Sequence, residues 1–482
     1  MMAQSEFEAR SQAFLHWFKA WPGATFHPAI QIQDLRDRDA GRGIIATSDI
    51  PEDTVLFTIP RDAIISTQSS DLPKKIPSIF EESTTGLEDA DNEADEDGDA
   101  SGAPDSWVSL ILVMIYEYLQ GDSSRWKPYF DILPESFDTL MFWSDKELQD
   151  LQASAITAKI GKDEADNMFR AKVLPVIEQH ASIFYPPGSD RLSEDLLMVL
   201  AHRMGSTIMA YAFDMENDEE EPDEENEDEW MEDKDGRLLM GMVPMADILN
   251  ADAQFNAHVN HEDKSLTVTS LKPIKTGEEV LNYYGPLSNG ELLRRYGYVT
   301  FNHARYDVVE LSWASVLSVL KEQLNLSEAA WGNVMNEIEE EEIEDSFVID
   351  RDLEEPDSKG DINPEYELRA LPADLEEQVK LFLNAVRKVA RDTVPDKRKR
   401  DEISQFAILN ALQARLKDYS TSEAEDMRLV PNTKRQHMAM TVRIGEKRLL
   451  AEAIKLVRAN IDQQGGQDIE MSEPPAKKQR SR

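Results

Sequence analysis

The hydrophobic and polar positions fall into blocks of different period along the chain. Phe7, Phe14, Leu15 and Phe18 share one face if residues 6–20 are helical, so a short amphipathic helix is expected there. Between 29 and 65 the period shortens. Gln31-Ile32-Gln33, Gly43-Ile44-Ile45-Ala46 and Thr54-Val55-Leu56-Phe57-Thr58-Ile59-Pro60 are short and rich in β-branched residues, and Asp, Gly and Pro separate them. They predict strands joined by turns. Helical spacing then runs over 107–119, with Gly121 placed to end it, and over 144–156, 164–184 and 192–211. Strands return at 238–244, 257–260, 265–270 and 280–283. In 265–270, Leu266, Val268 and Ser270 alternate with Thr267 and Thr269, the period of a half-buried strand. One or two helical turns are expected at 289–295, and 313–460 reads as mostly helical. Neither strand set closes a sheet alone, so those at 31–60 and 238–283 are expected to meet in space.

This pattern implies an α+β fold: an N-terminal helix in 1–25, then a β-rich domain over 26–310 interrupted by a helical insert at about 66–237. An all-helical domain over 311–464 and a free tail over 465–482 follow. A length of 482 residues fits two or three domains at about 100–200 residues each. No internal repeat of about 20–50 residues is visible.

Charge changes the picture. Against 51 Lys and Arg stand 94 Asp and Glu, a formal net charge of −43. Three tracts, 81–99, 214–235 and 337–361, carry −35 of it, so the remainder is an ordinary protein surface. Such tracts read as solvated loops, 81–106 and 214–235 above all. The sharper reading is a field that draws in a basic protein partner. Direct binding to a nucleic-acid backbone is disfavoured either way. With no Cys, a disulfide scaffold, a thiolate metal site and a thiol nucleophile are excluded. No apolar run of 18 residues suggests a membrane span, and the first residues lack the pattern of a secretory signal.

Four stretches carry candidate chemistry. Gly41-Arg42-Gly43 can bring main chain close to a ligand, or can be a plain turn before a strand. In Asp247-Ile248-Leu249-Asn250-Ala251, the carboxylate and the amide suit the polar ends of a small ligand, or cap a turn. Asn282-Tyr283-Tyr284-Gly285 and Arg295-Tyr296-Gly297-Tyr298 place four tyrosines within sixteen residues. Tyrosines among strands usually pack; a following Gly lets the chain bend and aim a phenol into a cleft.

In this order, Gly-Arg-Gly-Ile, Asp-Ile-Leu-Asn and Gly277-Glu278-Glu279-Val280-Leu281-Asn282-Tyr283-Tyr284-Gly285, continuing through Arg295-Tyr296-Gly297-Tyr298-Val299, the chain resembles a SET-domain protein lysine methyltransferase of the Rubisco large-subunit methyltransferase type. Within that type it resembles the branch of SET domain-containing protein 6 and fungal ribosomal lysine methyltransferase 4. Trp126-Lys127-Pro128-Tyr129-Phe130-Asp131-Ile132-Leu133-Pro134, Met209-Ala210-Tyr211-Ala212-Phe213 and the run from Met438 to Lys447 support it, and the likeness spans most of 26–459. It implies a SET fold with a pseudoknot-like crossing and a C-terminal helical domain that binds substrate. It also implies S-adenosylmethionine as methyl donor, with no metal.

By the same resemblance, Gly41, Arg42 and Gly43 offer loop backbone to the donor. Asp247, Asn250 and Ala251 stand near it, with Asn250 at its amino-acid end. Tyr211 touches donor or substrate, Tyr284 lines the lysine channel, and Tyr296 is the phenol beside the transferred methyl. Ala251 stands where the family usually has His, so the backbone groups are kept and the imidazole is lost. A basic protein substrate such as a ribosomal protein, histone or transcription factor follows, acted on by a monomer away from membranes. Alternatives are a protein-histidine methyltransferase and a non-catalytic acidic adaptor for basic proteins with a degenerate donor pocket. Lys477-Lys478-Gln479-Arg480, after Pro474-Pro475, suggests nuclear import, with the cytoplasm as a second location.

Overall fold

The computed structural model describes residues 4–38, 40–80, 106–215, 239–339 and 341–471. The acidic stretches 81–99 and 216–235 and the basic cluster at 477–480 lie outside them. The chain forms two compact units, each with its own core. The first comprises Met1–Met141, Gly161–Gly285 and Pro356–Ile362, and the second Phe142–Ile160, Pro286–Glu355 and Asn363–Arg482. Chain order and packing therefore part company: 142–160 and 286–310 join the C-terminal helices rather than the β-rich unit.

The first unit holds ten short strands: β1 (Thr25–Phe26), β2 (Ile30–Asp34), β3 (Arg42–Ala46), β4 (Val55–Pro60), β5 (Ala212–Met215), β6 (Leu239–Met242), β7 (Asn250–Ala251), β8 (Ala257–His261), β9 (Ser265–Ser270) and β10 (Glu279–Asn282). The two strand sets do meet. One sheet has the order β1-β4-β9-β8, another β2-β3-β10-β7, and β5 pairs with β6. The alternation read at 265–270 has the expected effect: Leu266, Val268 and Ser270 are fully buried. Leu266 and Val268 stand opposite Ile59 and Phe57 across the antiparallel ladder.

The helical insert belongs to the same hydrophobic core as these sheets. Its Ser106–Leu119 helix is apolar almost all round and is buried accordingly. The Trp126 indole donates to the Ala63 carbonyl at 2.9 Å, tying the insert to the end of β4. The helix expected over 164–184 is broken. A single π-turn at Phe169–Val173 separates Lys162–Met168 from Leu174–Gln179. Pro175 explains it, because its ring clashes with the carbonyl four residues back and it has no N–H to give. No helix of the described residues is long and apolar enough to cross a membrane.

In the second unit the helix expected over 144–156 is only Asp145–Leu148, followed by tight turns at Gln149–Leu151 and Ala155–Lys159. Arg443 takes the Asp150 carbonyl and Arg415 the Ala153 carbonyl, so these groups bond to side chains instead of to a helix. The third acidic tract is not simply a solvated loop. It contains β12 (Ser346–Ile349), paired antiparallel with β11 (Val309–Ser312), and Phe347 and Ile349 are buried. Helices Trp313–Leu324, Glu328–Glu337, Ala373–Val389, Lys397–Lys417 and Lys434–Met471 pack on this ribbon around a core of their own. The last helix runs through Gly465-Gly466, where the sequence suggested a free tail from 465. Extending an existing helix needs no new nucleus, so two Gly need not stop it.

The run from Met438 to Lys447 in that helix locks this unit's interior. Arg443 and Lys447 both pair with the buried Asp426. Glu446 accepts from Ser154 at 2.5 Å and Tyr419 at 2.7 Å, and burial pushes its carboxyl up to about 7. Asp307 lies against Gly445, where an added Cβ would overlap its carboxyl, and burial pushes that carboxyl up to about 8.

Candidate active site

The glycine loop, the asparagine turn and the first tyrosine pair are assembled by one strand, β10. It runs antiparallel to β3, with Glu279 opposite Ile45 and Val280 opposite Ile44. It runs parallel to β7, with Leu281 beside Asn250 and Asn282 beside Ala251. Three segments separated by hundreds of residues thereby lie side by side, and the chain leaves β10 through Tyr283-Tyr284-Gly285. Gly285 has φ +98°, a left-handed bend that suits Gly after the tyrosines.

Asn250 cross-links the arrangement. Its Nδ2 donates to the Arg42 carbonyl at 3.1 Å and to Glu279 Oε1 at 2.6 Å. Glu279 is mostly buried, and burial raises its carboxyl above the usual range. The two glycines of the loop differ. A Cβ at Gly43 would overlap Leu35 Cδ1 and stand 2.6 Å from Glu279 Oε1 and 3.0 Å from Asn250 Nδ2. Gly43 is therefore fixed by packing. A Cβ at Gly41 would meet nothing within 4 Å, so its main chain faces open space. The Arg42 side chain is occupied elsewhere: it donates to Ser11 Oγ at 2.9 Å and to the Ile132 carbonyl at 2.8 Å, and lies 3.8 Å from the Phe7 ring centre. Only its backbone serves the turn.

Asp247 is buried beside this cross-link. Its Oδ2 accepts from the Tyr129 hydroxyl at 2.5 Å and its Oδ1 from the Met245 N–H at 3.1 Å. Burial pushes its carboxyl up to about 7, against the pull of those hydrogen bonds. Tyr211, at the end of the Glu194–Tyr211 helix, is pushed up to about 12 by burial and by the nearby Asp247 charge. Met245 has φ +90°, a strained conformation for a residue with a side chain, and the Asp247 carboxyl holds it there. Ala251 is buried in the β7–β10 pair. The Tyr284 hydroxyl donates to the Leu249 carbonyl at 3.1 Å, so this phenol lies over the Asp247–Asn250 turn. Tyr283 stacks on Phe255, with ring centres 4.8 Å apart.

Gly41, Arg42, Gly43, Tyr211, Asp247, Asn250, Ala251 and Tyr284 thus all lie in the first unit. Tyr296 belongs to the second, as the last residue of the Asn289–Tyr296 helix. Gly297 caps that helix with φ +76°, Tyr298 meets the Tyr296 ring edge-on, and burial raises the Tyr296 phenol.

The sequence reading passed over three residues, Tyr129, Glu279 and Met245. Tyr129 and Glu279 sit inside motifs quoted for the resemblance, and the mark of each was a polar group in an otherwise apolar run. Nothing in the sequence marks Met245. Together the site offers open main chain at Gly41, a fixed amide, one buried carboxyl and three phenols. That set of neutral hydrogen-bonding groups with one acid suits a small cationic molecule with amino-acid and nucleoside parts.

Comparison with known proteins agrees with this geometry. The family model described as the SET domain matches residues 41–285, just over half of the chain. Ribosomal lysine N-methyltransferase 4 of Saccharomyces cerevisiae is 33% identical over 327 residues, 66% of this chain and 61% of that protein, so the match spans about three fifths of that relative. Human N-lysine methyltransferase SETD6 is 27% identical over 443 residues, 86% of this chain and 84% of the relative. Among solved structures, the SET domain of LSMT bound to lysine and AdoHcy aligns over 97% of both chains, with a TM-score of 0.61 and 19% identity. Rubisco LSMT bound to AdoMet aligns with a TM-score of 0.58, also over 97% of both chains and at 19% identity.

Proposed function

Since the chain belongs to the SET-domain family of protein-lysine methyltransferases, we propose that it methylates a lysine side chain of a basic protein, with S-adenosylmethionine as donor. The observation that carries this reading is the side-by-side placement of the Gly41–Gly43 loop, Asn250 and Tyr284 around β10.

When bound, the donor supplies a methyl group on a positive sulfur, displaced in line by the lysine nitrogen. The chain's own groups divide the remaining work. The Gly41 main chain and Asn250 hold the donor's polar ends, and the Asn250–Glu279 bond keeps that amide from rotating. Asp247 and Tyr211 supply a polar wall, with Tyr129 fixing the Asp247 carboxyl. Tyr284 presents a ring to the lysine stem and a hydroxyl near the amine. Tyr296 takes the role that the order of the motifs assigns it, a phenol beside the reacting methyl. A phenol raised above 10 is a poor base at neutral pH, so positioning, not proton abstraction, is its task. Deprotonating a free lysine at pH 7 costs about 4–5 kcal/mol, and an apolar, aromatic channel lowers that cost by disfavouring the ammonium. Alignment of nitrogen, methyl and sulfur is the larger contribution.

The charge of −43 supports a basic substrate, because such a field raises the encounter rate with a cationic partner. We place the protein in the nucleus, on the basic cluster at 477–480; imaging a chain cut at 474 tests this. The enzymatic test is incubation of the purified chain with labelled donor and a cell lysate, followed by mass-spectrometric site mapping. Label on lysine that falls about tenfold or more in both Tyr284→Phe and Tyr296→Phe supports the reading. Label on histidine points to the histidine branch of the family. A chain that binds basic proteins but no donor in calorimetry is the acidic adaptor instead.

A further inference from the structure

The helical insert contains a cavity of about 370 Å³, within the size range of small-ligand pockets and separate from the site above. Its walls include three aromatic side chains, Tyr118, Phe130 and Tyr185. Tyr118 meets Phe130 edge-on, with ring centres 5.9 Å apart. Tyr118 already carries the Arg203 guanidinium at 5.3 Å from its ring centre, which leaves Phe130 and Tyr185 as the main open faces. The charged lining is acidic overall: Glu117, Asp131 and Asp190 against Lys127. Lys127 is spent on Asp131, and both Glu117 oxygens accept serine hydroxyls, Ser70 at 2.7 Å and Ser124 at 2.8 Å. Asp190 is exposed and has no ion-pair partner among the described residues. Tyr185 is nine-tenths buried, yet its hydroxyl has no hydrogen-bond partner. A buried hydroxyl left unmet is costly, and it is a group that a ligand could satisfy.

Aromatic faces, an unpaired carboxylate and an orphan hydroxyl make up the chemistry that recognises an alkylammonium ion. We propose that this cavity binds the ammonium of a lysine or methylated lysine of a protein partner, as a second recognition pocket. The ring faces hold the charged head, Asp190 neutralises it from the rim, and the Tyr185 hydroxyl accepts an N–H. A protein side chain is the favoured source because the chain's charge concentrates basic proteins around it. This pocket stands whether or not the methyl-transfer reading holds, since none of its residues belongs to the candidate active site.

Calorimetry on the full chain tests it, with a lysine-bearing basic peptide, the same peptide with norleucine in place of lysine, and tetramethylammonium chloride against sodium chloride at equal ionic strength. The expected result is a loss of about tenfold in affinity for the norleucine peptide. Asp190→Asn and Tyr118→Leu, both at exposed positions, are each expected to weaken the lysine peptide about three- to tenfold. Donor binding and thermal stability should not change in these variants. Unchanged peptide affinity in both variants overturns the proposal. Binding of tetramethylammonium that responds to these substitutions, with peptide affinity that does not, also overturns it and points to a small free amine.

Discussion

Gly43→Ala sets one methyl group against three named neighbours. It would overlap Leu35 Cδ1 and lie 2.6 Å from Glu279 Oε1 and 3.0 Å from Asn250 Nδ2. Ordinary carbon contacts lie at about 3.5–4.0 Å, so the neighbours must withdraw by up to about an ångström. Leu35 is buried and has little room to move. Overpacking of this kind costs about 1–3 kcal/mol. Pushing Glu279 aside also breaks its 2.6 Å bond to Asn250, which adds about 1 kcal/mol. A total of about 2–4 kcal/mol lowers Tm by roughly 4–8 °C, at about 2 °C per kcal/mol for a unit of this size. Gly41→Ala is the internal control. Nothing stands within 4 Å of its Cβ, so stability should change by less than about 0.5 kcal/mol. Donor affinity separates the two further: Gly43→Ala loses it by loosening Asn250, whereas Gly41→Ala loses it only where a ligand approaches the loop. Differential scanning fluorimetry and donor calorimetry on both variants decide the matter. If Gly43→Ala melts with the wild type, or Gly41→Ala melts lower than Gly43→Ala, the packing argument is refuted.

Asp307 has a raised folded value, about 8 against 3.8 for the free group, so the folded state holds its proton more tightly. Its contribution to stability is therefore full below about pH 4 and is lost as pH rises through about 8. Asp307→Asn keeps an oxygen for the Asn289 N–H, and should flatten the fall of Tm between pH 6 and 8.5; an unchanged slope would rule Asp307 out. Gly445→Ala should destabilise the second unit by about 2–3 kcal/mol, because its methyl overlaps the Asp307 carboxyl. A wild-type denaturation midpoint in urea would contradict that. Raising salt from about 50 to 300 mM should raise KM for a basic substrate severalfold with little change in kcat, as expected of a screened field. A salt-insensitive KM would remove steering from the account.

Much of the β-rich unit was legible because its strands carry a strict period of two. Leu266, Val268 and Ser270 point inward as their alternation implies, and the separation of 31–60 from 238–283 forced the two sets to pair. The motif order led to Asn250 and Tyr284 directly. What stayed hidden depends on partners remote in sequence. The importance of Asn250 lies in its bond to Glu279, and the Asp247 carboxyl is set by Tyr129, over a hundred residues away. Helical periodicity at 144–156 was overridden by Arg415 and Arg443, which claim backbone carbonyls that a helix would use. The strand Ser346–Ile349 was masked by the acids around it, although Phe347 and Ile349 carry the strand period. Pro175 was visible throughout and should have divided its helix.

The ladder between β4 and β9 also constrains how the molecule comes into being. Phe57 finds its neighbour Val268 only after some two hundred further residues have been synthesised, about 10–40 s at ribosomal rates. Through that interval β4 lacks the partner that covers its central edge, and the insert helices lack the sheet they bury against. Nascent chains of this protein are thus exposed to sticking through an open strand edge, a hazard that stops emission through residue 270 would lengthen and that a chaperone at the ribosomal exit would relieve.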